Sequence, residues 1–192
     1  MTALPKTLLK KKAFSYQEII KSGISRHYLH QMLADNKIEK ISRNLYSVDG
    51  YNVYGQEEQY RVATIKVGGP SAICLLSALD FYDLTDEIPN KVWVFVPHQK
   101  RIRSNTIKCI RTRNPYWSIG IKKHDRYSVT SLERTIIDCL VYKRVVGANI
   151  STSSLKRAIG DKKIDIDSLI SMAKKMRCFK RIIPYIEMVI HD

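Results

Sequence analysis

Residues 24–48, ISRHYLHQMLADNKIEKISRNLYSV, set a short amphipathic helix directly before two strand-like segments. Tyr28, Leu29, Met32 and Leu33 recur at the three- and four-residue spacing of one helical face. The opposite face carries Arg26, His27, His30 and Gln31, and no carboxylate appears until Asp35 at the end of the helix. A surface of that kind offers donors and positive charge to an acidic or hydrogen-bonding partner. KIEKIS and LYSV then alternate in polarity, as half-buried strands do, and Arg43-Asn44 suits the tight turn between them.

Working outward, Ser15 and Glu18 form a capping-box pair ahead of Ile19 and Ile20, so a helix starts there. Gly23 ends it, because glycine accepts the left-handed backbone of a sharp turn. Ser25 caps the next helix and Asn36 suits its end. Leu4, Leu8 and Leu9 suggest an earlier helix that fades at Lys10-Lys11-Lys12. Helix, tight turn, helix and hairpin in this order predict a winged helix-turn-helix over residues 1–50, whose second helix presents side chains to the major groove of double-stranded DNA. A plain pair of helices joined by a glycine turn is the simpler alternative.

Chemistry then assigns roles. Arg26 and Gln31 can make paired hydrogen bonds to guanine and adenine edges. His30 and His27 lie within reach of bases or phosphates, with Ser25 at the start of the same face. Arg43 and Asn44 sit at the tip of the wing. Lys10, Lys11 and Lys12 add sequence-independent attraction to phosphates.

The bulk properties agree with a polyanionic partner. The 192 residues carry a formal charge of +15 and are 44% apolar, enough for a packed core. The charge is blocked: residues 1–50 hold nine Lys and Arg against four acids, net +5. Residues 51–95 hold three against six, net −3, and residues 96–127 nine against one, net +8. The second basic block, HQKRIRSNTIKCIRTR, contributes Lys100, Arg101, Arg103, Lys108, Arg111 and Arg113, either as additional phosphate contacts or as a solvated surface. No apolar run is long enough to span a bilayer, and the N-terminus makes a poor secretory signal, so a cytoplasmic protein is expected. Cys74, Cys109, Cys139 and Cys178 are widely spaced and read as reduced thiols. No cofactor and no metal is expected.

Residues 51–69 read as a linker passing into a helix from about Gln56 to Lys66, stopped by Gly68-Gly69-Pro70. Residues 70–192 then read as a second domain. SAICLLSALDFYDL predicts a helix beginning at Pro70, apolar on nearly every side. NKVWVFVP predicts a buried strand, and TIKCIRTR a half-exposed one that shows Lys108, Arg111 and Arg113 near one edge. IGIKKHDRYSV predicts a further strand or hairpin. SLERTIIDCLVYKR predicts a helix capped by Thr130 with Glu133, and three helices follow over about 151–160, 166–176 and 180–190. The fold class expected is α+β: a winged helix-turn-helix followed by an α/β domain with a small sheet and a terminal helical group.

SAICLLSALDFYDLTDEIPNKVWVFVPHQKR, YSVTSLERTIIDCLVYKRVVG and IDIDSLISMAKKMRCFKRIIPYIEMVI, in that order, resemble the antitoxins of the AbiE type of toxin–antitoxin system. The resemblance runs over essentially the whole chain. It rests on the order of its pieces: the Leu- and Ser-rich helix before LTDEIP, the V-W-V-x-V-P strand and the S-x-x-R-T-x-x-D-C helix. It implies a winged helix that binds repeats, inverted or direct, in the promoter of its own operon and represses it. It also implies a second domain that counteracts a nucleotidyltransferase-like toxin. Ser131, Arg134, Thr135 and Asp138 match the family's helix motif, with either a structural role or one in toxin neutralisation; Arg134 and Asp138, four apart, can pair to pin that helix to the sheet. The chain is short between Arg113 and Tyr127, where Lys122 and His124 have no clear counterpart.

Two other readings compete. A basic Mg-dependent nuclease needs a carboxylate pair and a lysine, for which Asp80, Asp83, Asp86, Glu87 and Lys91 are the candidates. The strand they precede, VWVFV, carries no charge, which argues against it. An orphan winged-helix regulator without a toxin is the second. Phosphate loops, HExxH and Cys-His metal patterns are missing from the sequence, so no catalytic residue is expected.

Overall fold

The computed structural model describes residues 4–11, 13–42, 44–48, 55–124 and 126–190. It mixes helix and sheet in two compact units, residues 1–69 and 70–192. The expected end of the winged helix at residue 50 and most of the linker fall outside the described residues.

The first unit runs α1 (Lys6–Lys11), β1 (Ala13–Ser15), α2 (Tyr16–Lys21), α3 (Arg26–Ala34), β2 (Ile38–Ser42), β3 (Leu45–Val48) and α4 (Gln56–Val67). The three strands form an antiparallel sheet in the order β1-β3-β2. Phe14 stands opposite Tyr46, and Lys40 stands opposite Tyr46 from the other side. The register shifts between Lys40 and Ser42, close to the turn. Leu8, Phe14, Ile19, Ile24, Leu29, Met32, Ile38 and Tyr46 make its core, so each helix and each strand contributes at least one buried side chain to it or to the neighbouring cluster. Ala13, Leu45 and Val62 form that second cluster, which seats α4 on the sheet. Buried Arg61 reinforces it by donating to the Ala13 carbonyl and pairing with Glu58. The helix read as a connector thus packs on the first unit.

The second unit runs β4 (Ala72–Ile73), α5 (Leu75–Phe81), β5 (Val92–Pro97), β6 (Ile107–Thr112), β7 (Ile121–Lys123), β8 (Ser128–Thr130), α6 (Leu132–Val141), α7 (Lys143–Val146), α8 (Ala148–Gly160), α9 (Ile166–Lys175) and α10 (Phe179–Ile190). Its sheet is mixed, in the order β6-β5-β4-β8-β7, with β5 parallel to β6, β4 parallel to β8, and the other pairs antiparallel. Trp93 and Phe95 on β5 join α5, α6 and the C-terminal helices in one large core.

Two expectations are corrected here. The helix expected from Pro70 begins only at Leu75, because Ala72 and Ile73 pair with Phe95 and Val94 as the central strand β4. Burial between two neighbouring strands outweighs helical periodicity at these two residues. The cap of α6 is Ser131 instead of Thr130: the Arg134 amide donates to Ser131 Oγ at 3.3 Å. Thr130 closes β8 and its hydroxyl lies 2.7 Å from that of Thr135. The strand-or-hairpin reading around residue 121 resolves into the antiparallel pair β7–β8.

Candidate nucleic-acid interface

The geometry of α2 and α3 follows from their caps. Glu18 N–H donates to Ser15 Oγ at 3.2 Å and Ser15 N–H donates to Glu18 Oε2 at 2.7 Å, which completes the capping box. Lys11 also reaches Glu18, at 2.6 Å. Burial raises the Glu18 carboxyl, but Lys11 and the two Ser15 hydrogen bonds outweigh it and hold the group below its usual range. At the far end Gly23 has φ +86, and its N–H donates to the Ile20 carbonyl at 3.0 Å. Ser25 Oγ then accepts from the Tyr28 amide at 3.2 Å and starts α3.

On α3, Leu29 and Met32 are buried and Tyr28 and Leu33 pack partly against the same core. Arg26, His27, His30 and Gln31 are all exposed, so the helix presents the donor face the spacing predicts. Arg26 Nε donates to the Tyr16 hydroxyl at 3.2 Å. Tyr16 N–H donates to Asn44 Oδ1 at 3.3 Å, which ties the turn of the β2–β3 hairpin to the start of α2. Tyr16 therefore positions two of the candidate residues, and sequence reasoning missed it, because helical spacing says nothing about the reach of a side chain at a helix start. Exposed Lys40 on β2 was also missed.

The remaining candidates divide. Lys10 is exposed, whereas Lys11 is engaged by Glu18. Lys12 and Arg43 lie outside the described residues. Ser25 is exposed but its side chain is the helix cap.

The second basic block does not gather on one face. Lys108 Nζ sits 3.5 Å from the centre of the Trp93 ring, on the side of the sheet that meets the helices. Arg111, three residues along the same strand, lies on the other side, as strand alternation requires. Arg113 Nε and Nη2 approach His98 Nε2 at 3.1 and 2.9 Å. The His98 ring is held below its usual pKa, first by partial burial and then by the charges of Arg113, Arg111 and Arg101. Those three arginines thus act on one imidazole, while Arg103 and Lys100 lie in the loop before β6. β6 and β7 are the two edges of the sheet, and both carry cations, which is also how edge strands avoid pairing with other chains.

The motif helix holds its four residues in structural bonds. Arg134 Nε donates to Asp138 Oδ2 at 3.0 Å, and Nη1 donates to the carbonyls of Trp117 and Ile119. Thr135 donates back to Ser131 O at 2.8 Å. Burial lifts the Asp138 carboxyl to about 6, against the opposing pull of Arg134. Of the acids considered for metal-assisted chemistry, Asp86 accepts both Nη groups of Arg157 at 3.0 Å. The described residues contain no group of three or more His, Cys, Asp or Glu arranged to hold a metal ion. None of the described helices is long and apolar enough to cross a membrane.

No curated protein matches the chain. A family model does match within the first unit, over the helices and hairpin just described and less than a quarter of the chain. Residues 4–48 match the transcriptional regulators of the AbiEi antitoxin family, AbiEi_4, the same AbiE-type family that the sequence resembles.

Proposed function

We propose that this chain is a DNA-binding antitoxin regulator that represses its own operon through a winged helix-turn-helix and counteracts a nucleotidyltransferase-like toxin through its second unit. The observation that carries the DNA reading is the exposed, carboxylate-free face of α3, held at a capped helix-turn-helix inside the segment that matches the AbiEi regulators. The order helix, strand, helix, helix, hairpin with sheet order β1-β3-β2 supports reading β2–β3 as the wing. Arg26 and Gln31 read base edges, His27 and His30 reach bases or phosphates, and Lys10 with Lys12 adds phosphate attraction. Arg43 and Asn44 complete the wing contact. The arginines around His98 supply further, sequence-independent contacts to phosphates.

Fluorescence anisotropy with the DNA upstream of the coding sequence, against scrambled DNA of equal length and at several salt concentrations, tests the regulator reading. Preference for the native DNA supports it, and equal, salt-sensitive affinity for both refutes it. Charge reversal at Arg101, Arg103 and Arg111 lowers affinity for every sequence and flattens the salt dependence if the second basic block contributes. The antitoxin half is tested by co-expression with a nucleotidyltransferase encoded beside the gene. Rescue of growth by the second unit's sequence in the full chain supports it, and growth arrest despite full expression of the chain removes it.

A further inference from the structure

The second unit contains a cavity of about 300 Å³ lined by residues of β5, β6, α6 and the turn between α9 and α10. Its charged lining is Arg134, Arg177, Arg181 and Asp138, three guanidinium groups against one carboxylate. Arg134 is almost completely buried, with a side chain only 2% exposed. Its Nε and Nη1 are committed to Asp138, Trp117 and Ile119. Among the described residues Nη2 has no acceptor, and Asp138 Oδ1 has no donor. Neither atom is among the fully buried polar atoms left without a partner, so both open onto the cavity, where a polar group can meet them.

The mouth of the cavity is different in character. Arg177 and Arg181 are exposed, and the Arg177 guanidinium lies 5.0 Å over the Tyr116 ring, which holds it extended. Arg181 leans on the Val141 carbonyl through one Nη at 3.3 Å, leaving the rest of its fork available. Both flank the start of the twelve-residue helix α10, whose positive dipole end adds to theirs. Two guanidinium forks at the rim suit a phosphate, which each can grip in bidentate fashion. The open Arg134 Nη2 and Asp138 Oδ1 suit a group that accepts and donates at once, as a hydroxyl does. Asn114, Thr112 and Tyr142 also line the cavity. The volume is at the lower end of the usual range for ligand sites, about 300–1,000 Å³, which limits the ligand to a small molecule.

We propose that this cavity binds a small hydroxyl-bearing phosphate monoester, its phosphate on Arg177 and Arg181 and a hydroxyl on Arg134 and Asp138. This site lies wholly within the second unit and is independent of the DNA reading. It also gives the motif residues Arg134 and Asp138 a binding role besides their part in fixing α6.

Isothermal titration calorimetry on the full chain tests it, with ribose 5-phosphate, the four nucleoside 5′-monophosphates, inorganic phosphate and unphosphorylated ribose as probes. The expected result is saturable binding of at least one monoester, with inorganic phosphate weaker and ribose silent. Arg177→Gln and Arg181→Gln each weaken it by about tenfold or more, the size of losing a charged hydrogen bond. Because both side chains are exposed, these variants keep the unliganded melting temperature. Absence of saturable binding by every monoester overturns the proposal, as does unaltered affinity in the folded double variant. Inorganic phosphate binding as tightly as the best ester overturns the assignment of Arg134 and Asp138 to the ligand.

Discussion

Arg26 Nε donates to the Tyr16 hydroxyl at 3.2 Å, so the first residue of α3 is fixed by the first residue of α2. An exposed arginine otherwise samples many rotamers, and ordering it at an interface costs entropy. Arg26→Ala is expected to lose about 1–3 kcal/mol on the cognate DNA and to relax selectivity at one base position. Tyr16→Phe keeps the charge and removes the anchor, so it gives a smaller loss with an unchanged salt slope. Anisotropy titrations of both variants check this. A Tyr16→Phe variant that changes the salt slope contradicts the anchoring role.

Ser25 separates folding from binding. Its side chain caps α3, so Ser25→Ala should cost about 1 kcal/mol of stability in denaturant titration. Ser25→Asp keeps a capping oxygen and places a carboxylate at the end of the helix expected to meet DNA. It should melt close to the parent and bind DNA clearly less well. Parent-like binding by Ser25→Asp places the start of α3 away from the phosphates.

Several elements are legible in the sequence, for physical reasons that differ from one to the next. The capping box at Ser15 and Glu18 and the apolar spacing in α3 are local signals, and they appear where the sequence puts them. β1 was not visible, because Ala13–Ser15 is too short to show alternation and exists through its pairing with β3. Ala72 and Ile73 look helical from their neighbours and are drawn into the sheet by Phe95, Val94 and Val129. The donor face of α3 follows from spacing alone. The Tyr16 anchor and the opposite placement of Lys108 and Arg111 required the fold, since each depends on which surface a neighbouring element covers.

Gly120 is a point where backbone and packing coincide. Its φ is +67, and a Cβ there would lie 3.1 Å from Arg134 Cβ and 3.2 Å from Met172 Cε. Gly120 O also accepts from Ser131 N–H at 2.7 Å, which joins the turn to the cap of α6. Gly120→Ala should destabilise the second unit by about 1–3 kcal/mol. Trp93 and Trp117, both in that unit and the chain's two tryptophans, report it by fluorescence in denaturant. An unchanged midpoint contradicts the close approach.

Asp138 predicts a pH dependence. Burial pushes its carboxyl up to about 6. The folded unit then keeps a proton that the unfolded chain releases near pH 4, so protonation favours folding. That stabilisation is full below the unfolded value and is lost as pH rises through about 6. Glu18 in the first unit has the opposite sign: its lowered carboxyl stabilises above the unfolded value and loses that effect on acidification. Asp138→Asn should therefore flatten the tryptophan-monitored stability of the second unit between about pH 4 and 6. Identical pH profiles for parent and variant contradict the assignment.

The central claim is that the exposed face of α3 reads DNA sequence. Its most direct test is the ratio of affinities for native upstream DNA and scrambled DNA, measured for the parent and for Arg26→Ala combined with Gln31→Ala. Both substitutions lie on the exposed face, so the fold is retained. The ratio should fall to near unity while the salt dependence of binding to scrambled DNA persists. A folded double variant that keeps the parent's ratio would place sequence recognition elsewhere in the protein.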